Sequence, residues 1–157
     1  VWLGERGGGG GGAGCGGGVG VVAEIEEAVY SRWTSAAAVT AIVGAGSASR
    51  IYPNKIPQEA TLPAVAYQRV STRRVKAHAA PTGLARVRVQ VTCVARTYSE
   101  VKGLAVVVRK ALEGVMGTVG GVTVQGSWLE TDADEYGDAE GLHSVRQDFM
   151  VWHTEAI

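Results

Sequence analysis

The sequence contains few cysteines, no excess of charge of either sign and no long apolar run, and each shortage argues against a class of protein. Its two cysteines, Cys15 and Cys93, lie in a glycine tract and in a predicted strand, so no structural disulfide is expected. Its 15 basic and 15 acidic side chains give a formal net charge of +0, which argues against a dedicated nucleic-acid-binding protein. Apolar runs fall short of the roughly 20 residues that cross a bilayer, so no membrane partner is expected.

The chain has enough apolar material for one folded domain. Hydrophobic residues make up 46% of its 157 residues and charged residues 19%, which is typical of a globular protein. We predict two parts. Residues 1–22 are a glycine-rich segment that is either disordered or a mis-called translation start, and residues 23–157 form the folded domain.

The glycine tract contains one pattern that needs a test. Gly12, Gly14 and Gly17 satisfy G-x-G-x-x-G, the fingerprint of dinucleotide-binding folds. That fingerprint requires a strand before it and a helix that opens inside it, and the sequence predicts neither here. A chance match is the better interpretation, and we expect no cofactor.

Helical periodicity marks the start and the middle of the domain. Ile25, Ala28, Val29 and Trp33 share one helical face, and a further apolar stripe runs from a predicted N-cap at Ser35 to a stop at Gly44 and Gly46, which gives one bent helix or two short ones. Residues 99–115 form the main predicted helix, with Ser99 as its N-cap. Its apolar stripe comprises Val101, Leu104, Ala105, Val108, Ala111, Leu112 and Val115.

Strand patterns surround the main helix, at residues 62–77, 85–96, 121–130 and 142–153. In the clearest of them, Val87, Val89 and Val91 alternate with Arg86 and Arg88, so one face is apolar and the other is polar. Adjacent strands joined by short turns favour antiparallel pairing. We therefore predict an α+β domain with a single antiparallel β-sheet of about four strands and helices packed on one face.

Prolines stiffen the segment between the first helices and the strands. Pro53, Pro57 and Pro63 each fix a backbone angle and remove an amide donor, so residues 51–62 are predicted to be extended and neither helical nor a central strand. A stiff segment loses little entropy when it docks. It either crosses one end of its own sheet or contacts another copy of the chain. The candidate contact residues are Tyr52, Pro53, Asn54, Lys55, Pro57 and Gln58.

Two charged stretches of opposite sign suggest a contact between copies. The basic stretch includes Arg73 and Arg74, and the acidic run at residues 129–141, predicted to be a hairpin loop, includes Asp132, Asp134 and Glu135. Complementary patches suit a heterologous contact that closes into a ring. The simpler alternative is that both stretches are solvated surface.

The same acidic run partly matches a calcium-binding loop. Asp132, Asp134 and Gly137 match positions 1, 3 and 6 of that motif, but Tyr136 and His143 stand where an oxygen ligand and a bidentate glutamate are needed. The three histidines, His78, His143 and His153, are scattered, and no nucleophile motif occurs. The sequence predicts no metal site and no enzyme.

Several stretches between residues 23 and 153 resemble one known family. They are the opening helix that ends in AIVG, the segment RIYPNKIPQEATLPAVAYQRVS, the stretch RVRVQVTCVARTYSEVKGLAVVVRKALEG and the closing strand RQDFMVWH. They are similar to the tail completion, or tail terminator, family of siphophages and related prophages. The glycine-rich start departs from that family.

The resemblance implies a virion protein, made in the bacterial cytoplasm, with a small α+β fold and no catalytic residues. Family members form a ring, usually a hexamer, on the head-proximal end of the tail tube. The ring ends tube polymerisation and meets the head-completion protein, and DNA passes through it without sequence recognition. On this interpretation Arg86 and Arg88 face the channel, or else form salt bridges between subunits. The alternatives are another head–tail connector or minor tail protein, and a small nucleic-acid-binding or ligand-binding module.

Overall fold

A computed structural model describes residues 24–138 and 140–155. The glycine tract, including Gly12, Gly14 and Gly17, lies outside the described residues, so the expectation for residues 1–22 stays a prediction. The helices are α1 (Ile25–Ser35), α2 (Ala37–Val43) and α3 (Tyr98–Leu112). The strands are β1 (Ile51–Pro53), β2 (Ala64–Ala77), β3 (Ala80–Ala95), β4 (Gly117–Val119), β5 (Val122–Gly137) and β6 (Leu142–Thr154).

The strands form one sheet in the order β1-β2-β3-β6-β5-β4. Strand β1 runs parallel to β2, with Ile51 opposite Val65, and the other neighbouring pairs are antiparallel. The predicted single antiparallel sheet of about four strands is therefore wrong. The sheet is mixed, curled and six-stranded, and the described fold has three α-helices.

The two strands that were not predicted are short and lie at the sheet edges. In β1, Pro53 lacks an amide proton, and an edge strand tolerates that loss because one of its sides makes no ladder. Strand β4 folds back on β5 through the two-residue turn Gly120–Gly121, in which both glycines have positive φ. The sequence suggests only one strand in this region because the turn interrupts the apolar pattern for only two residues.

The first helical region is two helices, and their boundary differs from the prediction. Ala36, not Ser35, is the residue between α1 and α2, and it is extended. Gly44 ends α2 as predicted, with φ 85°, and a Cβ at this position would lie 2.6 Å from the carbonyl oxygen of Ala48. The end of α2 therefore requires glycine for two reasons, its backbone angle and the lack of space.

Helix α3 and strand β3 make the centre of the core, as their periodicities predicted. The α3 residues Val101, Leu104 and Val108 are at most 1% exposed. They share one hydrophobic cluster with Val87, Val89 and Val91 of β3. The N-cap of α3 is Thr97 rather than Ser99, and the Thr97 side chain accepts a hydrogen bond from the Glu100 amide at 3.3 Å.

The acidic run is mostly strand and not loop. Strand β5 continues to Gly137 and pairs with β6 up to Leu142, so only the turn between these two strands is irregular. Each acidic residue of β5 therefore has a fixed position on one face of the sheet. This hairpin forms despite the low strand propensity of Asp and Glu because β6 supplies a paired, partly buried neighbour.

The β2–β3 hairpin extends beyond the rest of the sheet. The outermost residue of β3 that pairs with β6 is Leu84, opposite Thr154. We call residues 75–82 the arm, because in the described structure its strands pair only with each other. Its turn residues His78 and Ala79 have φ 43° and 67°, the left-handed region in which Asn-Gly is the favoured pair.

Ala79→Gly is expected to stabilise the arm, because glycine adopts positive φ without the steric cost that a Cβ imposes. The gain is about 0.5–1 kcal/mol of local stability, after the entropy that glycine loses. It should appear as slower amide hydrogen exchange at Ala77 and Ala80, the pair that flanks the turn. Ala77→Gly, at an ordinary strand position, is the control and should speed exchange. Faster exchange in the Ala79→Gly variant would contradict the assignment of strain to this turn.

Candidate assembly interface

The polar face of the sheet, which lies opposite the helices, carries the two arginines that alternation predicts there. Arg86 and Arg88 project from this open face, next to Trp152 and Met150 of β6. The Arg86 guanidinium lies 5.8 Å from the centre of the Trp152 ring. Arg88 donates a hydrogen bond of 2.5 Å to Asp148. Both side chains therefore have partners within their own chain.

The Arg88–Asp148 pair is the most buried ion pair among the described residues. The Asp148 residue is 8% exposed, although it lies on the open face, and Thr131 donates a second hydrogen bond to the same oxygen at 3.4 Å. The hydrogen bond to Asp148 raises the pKa of Arg88 above its usual value. The pair crosses from β3 to β6 and ties the two central strands on the side that no described helix covers.

Arg88→Gln is expected to lower the melting temperature clearly, because it leaves the secluded Asp148 carboxylate without a cation. Arg86→Gln is the matched control on the same strand and face. It removes a cation–π contact worth about 0.5–1 kcal/mol and should have a small effect. Thermal denaturation followed by circular dichroism measures both. Equal melting temperatures for the two variants would mean that water solvates Asp148 well enough without Arg88.

A groove of about 770 Å³ opens at one end of this face. The proline segment forms one wall with Lys55, Pro57 and Gln58, and the β5–β6 turn forms the other with Glu140. The floor comprises Thr92, Val94, Leu142 and Ser144. Four of the predicted contact residues, Lys55, Pro57, Gln58 and Glu135, thus line one concave surface.

The other predicted residues of the proline segment lie just before the groove. Tyr52 is half-buried in β1, and Pro53 and Asn54 are exposed. The Asn54 amide donates to the Tyr67 carbonyl oxygen at 2.7 Å, with Asn54 at φ 64°. The segment therefore runs along its own sheet edge before it bends over the end of the sheet. Its exposed residues remain accessible to another molecule.

One residue that the sequence analysis did not select holds the proline segment in place. The Arg50 side chain donates to the Pro63 carbonyl oxygen at 2.9 Å and to the Ile42 carbonyl oxygen at 2.5 Å. It therefore joins the end of α2 to the end of the proline segment. A cation shortly after a glycine helix stop is the signal that could have identified it, because such side chains satisfy terminal carbonyl groups.

The predicted basic and acidic contact residues lie at opposite ends of the sheet. Arg74 pairs with Ala85 and Asp134 pairs with Val145, which lies opposite Cys93. From Ala85 to Cys93 β3 advances about 27 Å. The two charged patches therefore do not meet within one chain, and their placement is compatible with a contact between different ends of two copies.

Several of these charges are already paired within the chain. Arg74 lies 2.7 Å from Glu155, and this hydrogen bond lowers the pKa of the Glu155 carboxyl. Lys102 of α3 lies 3.0 Å from Asp134, and Arg146 lies 3.1 Å from Glu135. Arg73 and Asp132 are exposed, and neither forms an ion pair with another described residue. Such exposed pairs are weak and can exchange for partners on another molecule.

Cysteine and metal-ligating side chains do not cluster among the described residues. They contain no group of three or more His, Cys, Asp or Glu side chains placed to hold a metal ion. Cys93 is fully buried, and burial raises its thiol pKa to about 12, so it is not a nucleophile. None of the helices in this part of the chain is both long and apolar enough to cross a membrane.

Most of the chain matches one known protein family. Residues 27–154 match the model of a family described as Tail completion protein gp17. A solved structure titled "Virion of native gene transfer agent (GTA) particle" contains a chain of similar fold, with a TM-score of 0.60 and 16% sequence identity. The match covers 80% of this chain and 91% of that chain, and it shows a shared fold. No curated protein matches the sequence.

Proposed function

The chain belongs to the tail completion protein gp17 family and is a structural protein of the phage tail, and from this premise we propose that it forms a ring at the head-proximal end of the tail tube. The ring ends tube polymerisation and joins the tail to the head-completion complex. Its role is structural and not catalytic. The observation that carries the proposal is the family match over residues 27–154, which includes nearly all of the described fold.

The shape and charge of the subunit support a ring. A closed ring needs two different surfaces on each copy, and these must lie apart so that one copy does not satisfy itself. The basic residues Arg73 and Arg74 and the acidic residues Asp132, Asp134 and Glu135 meet this requirement, at opposite ends of one sheet. The partners of the ring are further copies, expected to number six, the major tail tube protein and the head-completion protein.

The open face of the sheet is the proposed lining of the channel. Arg88 keeps 46% of its side chain exposed although it pairs with Asp148, and Arg86 lies beside it on the same strand. Because Arg88 is paired with Asp148 and Arg86 lies against Trp152, this surface would present only a weak positive charge to passing DNA. The two guanidinium groups would offer no base-specific contact. DNA would then move through the ring without sequence recognition.

Tube-length control is the direct test. Purified tail tube protein should polymerise into tubes of variable length, and addition of this chain should give shorter tubes with a ring at one end, visible by negative-stain electron microscopy. Light scattering of the chain alone should report about six subunits. A chain that stays monomeric at every concentration and leaves tube length unchanged would contradict the proposal. A salt-sensitive shift of DNA by the monomer would favour a nucleic-acid-binding module instead.

A further inference from the structure

The arm, residues 75–82, is exposed along most of its length. The six residues 76–81 are all exposed, and beyond Gly83 no third strand supports the arm in the described structure. A two-stranded hairpin without a packed face is only marginally stable in water. Docking of the arm on another surface would supply the missing support.

The composition of the arm suits close docking. Its exposed strand residues include the small apolar side chains Ala77, Ala80 and Pro81, which let another backbone approach. Its charged residue is Lys76, and the arm contains no acidic residue. Its turn holds His78 and Ala79 at positive φ, where glycine would be relaxed, and such strain tends to persist where the site has a function.

The groove described above offers the complementary chemistry. Its walls and floor present Pro57, Leu62, Val94 and Leu142 to small apolar groups. Glu140 lines the wall formed by the β5–β6 turn, and the exposed Asp138 lies in the same turn. The lining is mixed, because Lys55 and Arg96 also belong to it, and its acidic side is the β5–β6 turn with Glu140. That side can pair with the Lys76 cation of the arm, and the apolar residues of the groove can contact the small apolar side chains of the arm.

We propose that the arm of one copy seats in the groove of the next copy around the ring. This inference rests on the proposed ring and names the surfaces that form its side contact. The arm cannot reach the groove of its own chain, because β3 advances about 45 Å from Ala80 to Val94. Two different surfaces at opposite ends of a subunit make a heterologous contact, and repetition of that contact closes a ring.

Paired cysteines test the contact. Ala80→Cys at the arm and Gln58→Cys at the groove, both exposed, are combined in a Cys15→Ser background and oxidised under mild conditions. Cys93 is buried and will not interfere. The expected product is a ladder of covalent oligomers that ends at the subunit number of the ring. The control is Ala80→Cys with Lys110→Cys on the exposed side of α3, which should give dimers at most.

The outcomes separate this contact from the ring itself. If rings form and shorten tubes but no ladder appears, the arm lies elsewhere and this inference is wrong while the proposed function stands. If the Ala80→Cys variant instead forms a disulfide with a cysteine placed on the tail tube protein, the arm is an axial contact and the inference is also wrong. If no oligomer forms and tube length does not change, both this inference and the proposed function are wrong.

A charge swap provides a second test that does not use cysteine. Lys76→Glu should weaken assembly by up to about fivefold per contact, the range for an exposed ion pair. Adding Glu140→Lys to the same chain should restore assembly, whereas Glu140→Lys alone should weaken it. Ring dissociation on dilution, followed by light scattering, measures all three variants. An unchanged dissociation profile for both single variants, or no recovery in the double variant, would overturn the pairing of these two surfaces.

Discussion

Trp33→Ala is expected to lower the free energy of unfolding by about 3–5 kcal/mol, the range for removal of a buried tryptophan. Trp33 is fully buried on α1, and its ring lies 5.6 Å from that of Tyr67 on β2. Its indole nitrogen also donates to the Val108 carbonyl oxygen of α3 at 3.3 Å. One side chain thus joins α1 to both α3 and the sheet. Its loss leaves a cavity and removes the hydrogen bond that joins α1 to α3.

A loss of this size is a large share of the roughly 5–15 kcal/mol that stabilises a typical domain. Thermal or urea denaturation should show a melting temperature lower by about 10 °C or more. Trp128→Ala is the matched control, since Trp128 is 44% exposed, and its effect should be much smaller. Similar losses at both positions would mean that α1 does not pack on α3 as described.

Val89→Glu is expected to prevent folding, because it places a carboxylate at a site that is 1% exposed and lined by apolar groups. A buried charge without a partner costs several kcal/mol even after it takes up a proton. Circular dichroism and limited proteolysis should show an unfolded, rapidly cleaved chain. The experiment tests the assignment of the two faces of β3.

Thr92→Glu is the control on the same strand. Thr92 lies on the open face, and its partner in the β3–β6 ladder is Arg146, so a glutamate here gains a cation and remains partly solvated. This variant should fold, with a stability within about 1 kcal/mol of the original. If Thr92→Glu unfolds and Val89→Glu folds, the helix-covered and open faces have been assigned the wrong way round.

The parts of the fold that were predicted from the sequence depend on local periodicity. The alternation Val87, Val89, Val91 and the stripe of α3 record which side of each element is buried, so the core and the face of Arg86 and Arg88 could be inferred. The sheet order and the parallel pairing of β1 could not, because Ile51 and Val65 meet through a contact that no short pattern encodes. The acidic run was misjudged for the same reason, since β6 decides its conformation.

At the candidate interface, too, some features could be predicted from the sequence and others could not. Sequence reasoning selected the proline segment and the charged stretches, and the structure brings Lys55, Pro57 and Gln58 to one groove. The sequence patterns did not indicate that Arg88 has a partner 60 residues away in Asp148, or that Arg50 fixes the proline segment. These contacts depend on the three-dimensional register of strands and helices. Whether the selected residues contact other subunits stays a prediction.

The two short outer strands have a consequence for the life of the protein before assembly. β1 and β4 contain three residues each, β1 includes Pro53, and β4 begins with Gly117. Strands this brief cover only Val65–Tyr67 of β2 and Val122–Val124 of β5, so the outer edges of the rest of these two long strands have no ladder partner among the described residues. Unpaired edges of this kind are templates for pairing with another chain, and the charged side chains along them, among them Arg69 and Arg74 in β2 and Asp132 and Glu135 in β5, oppose such pairing before assembly.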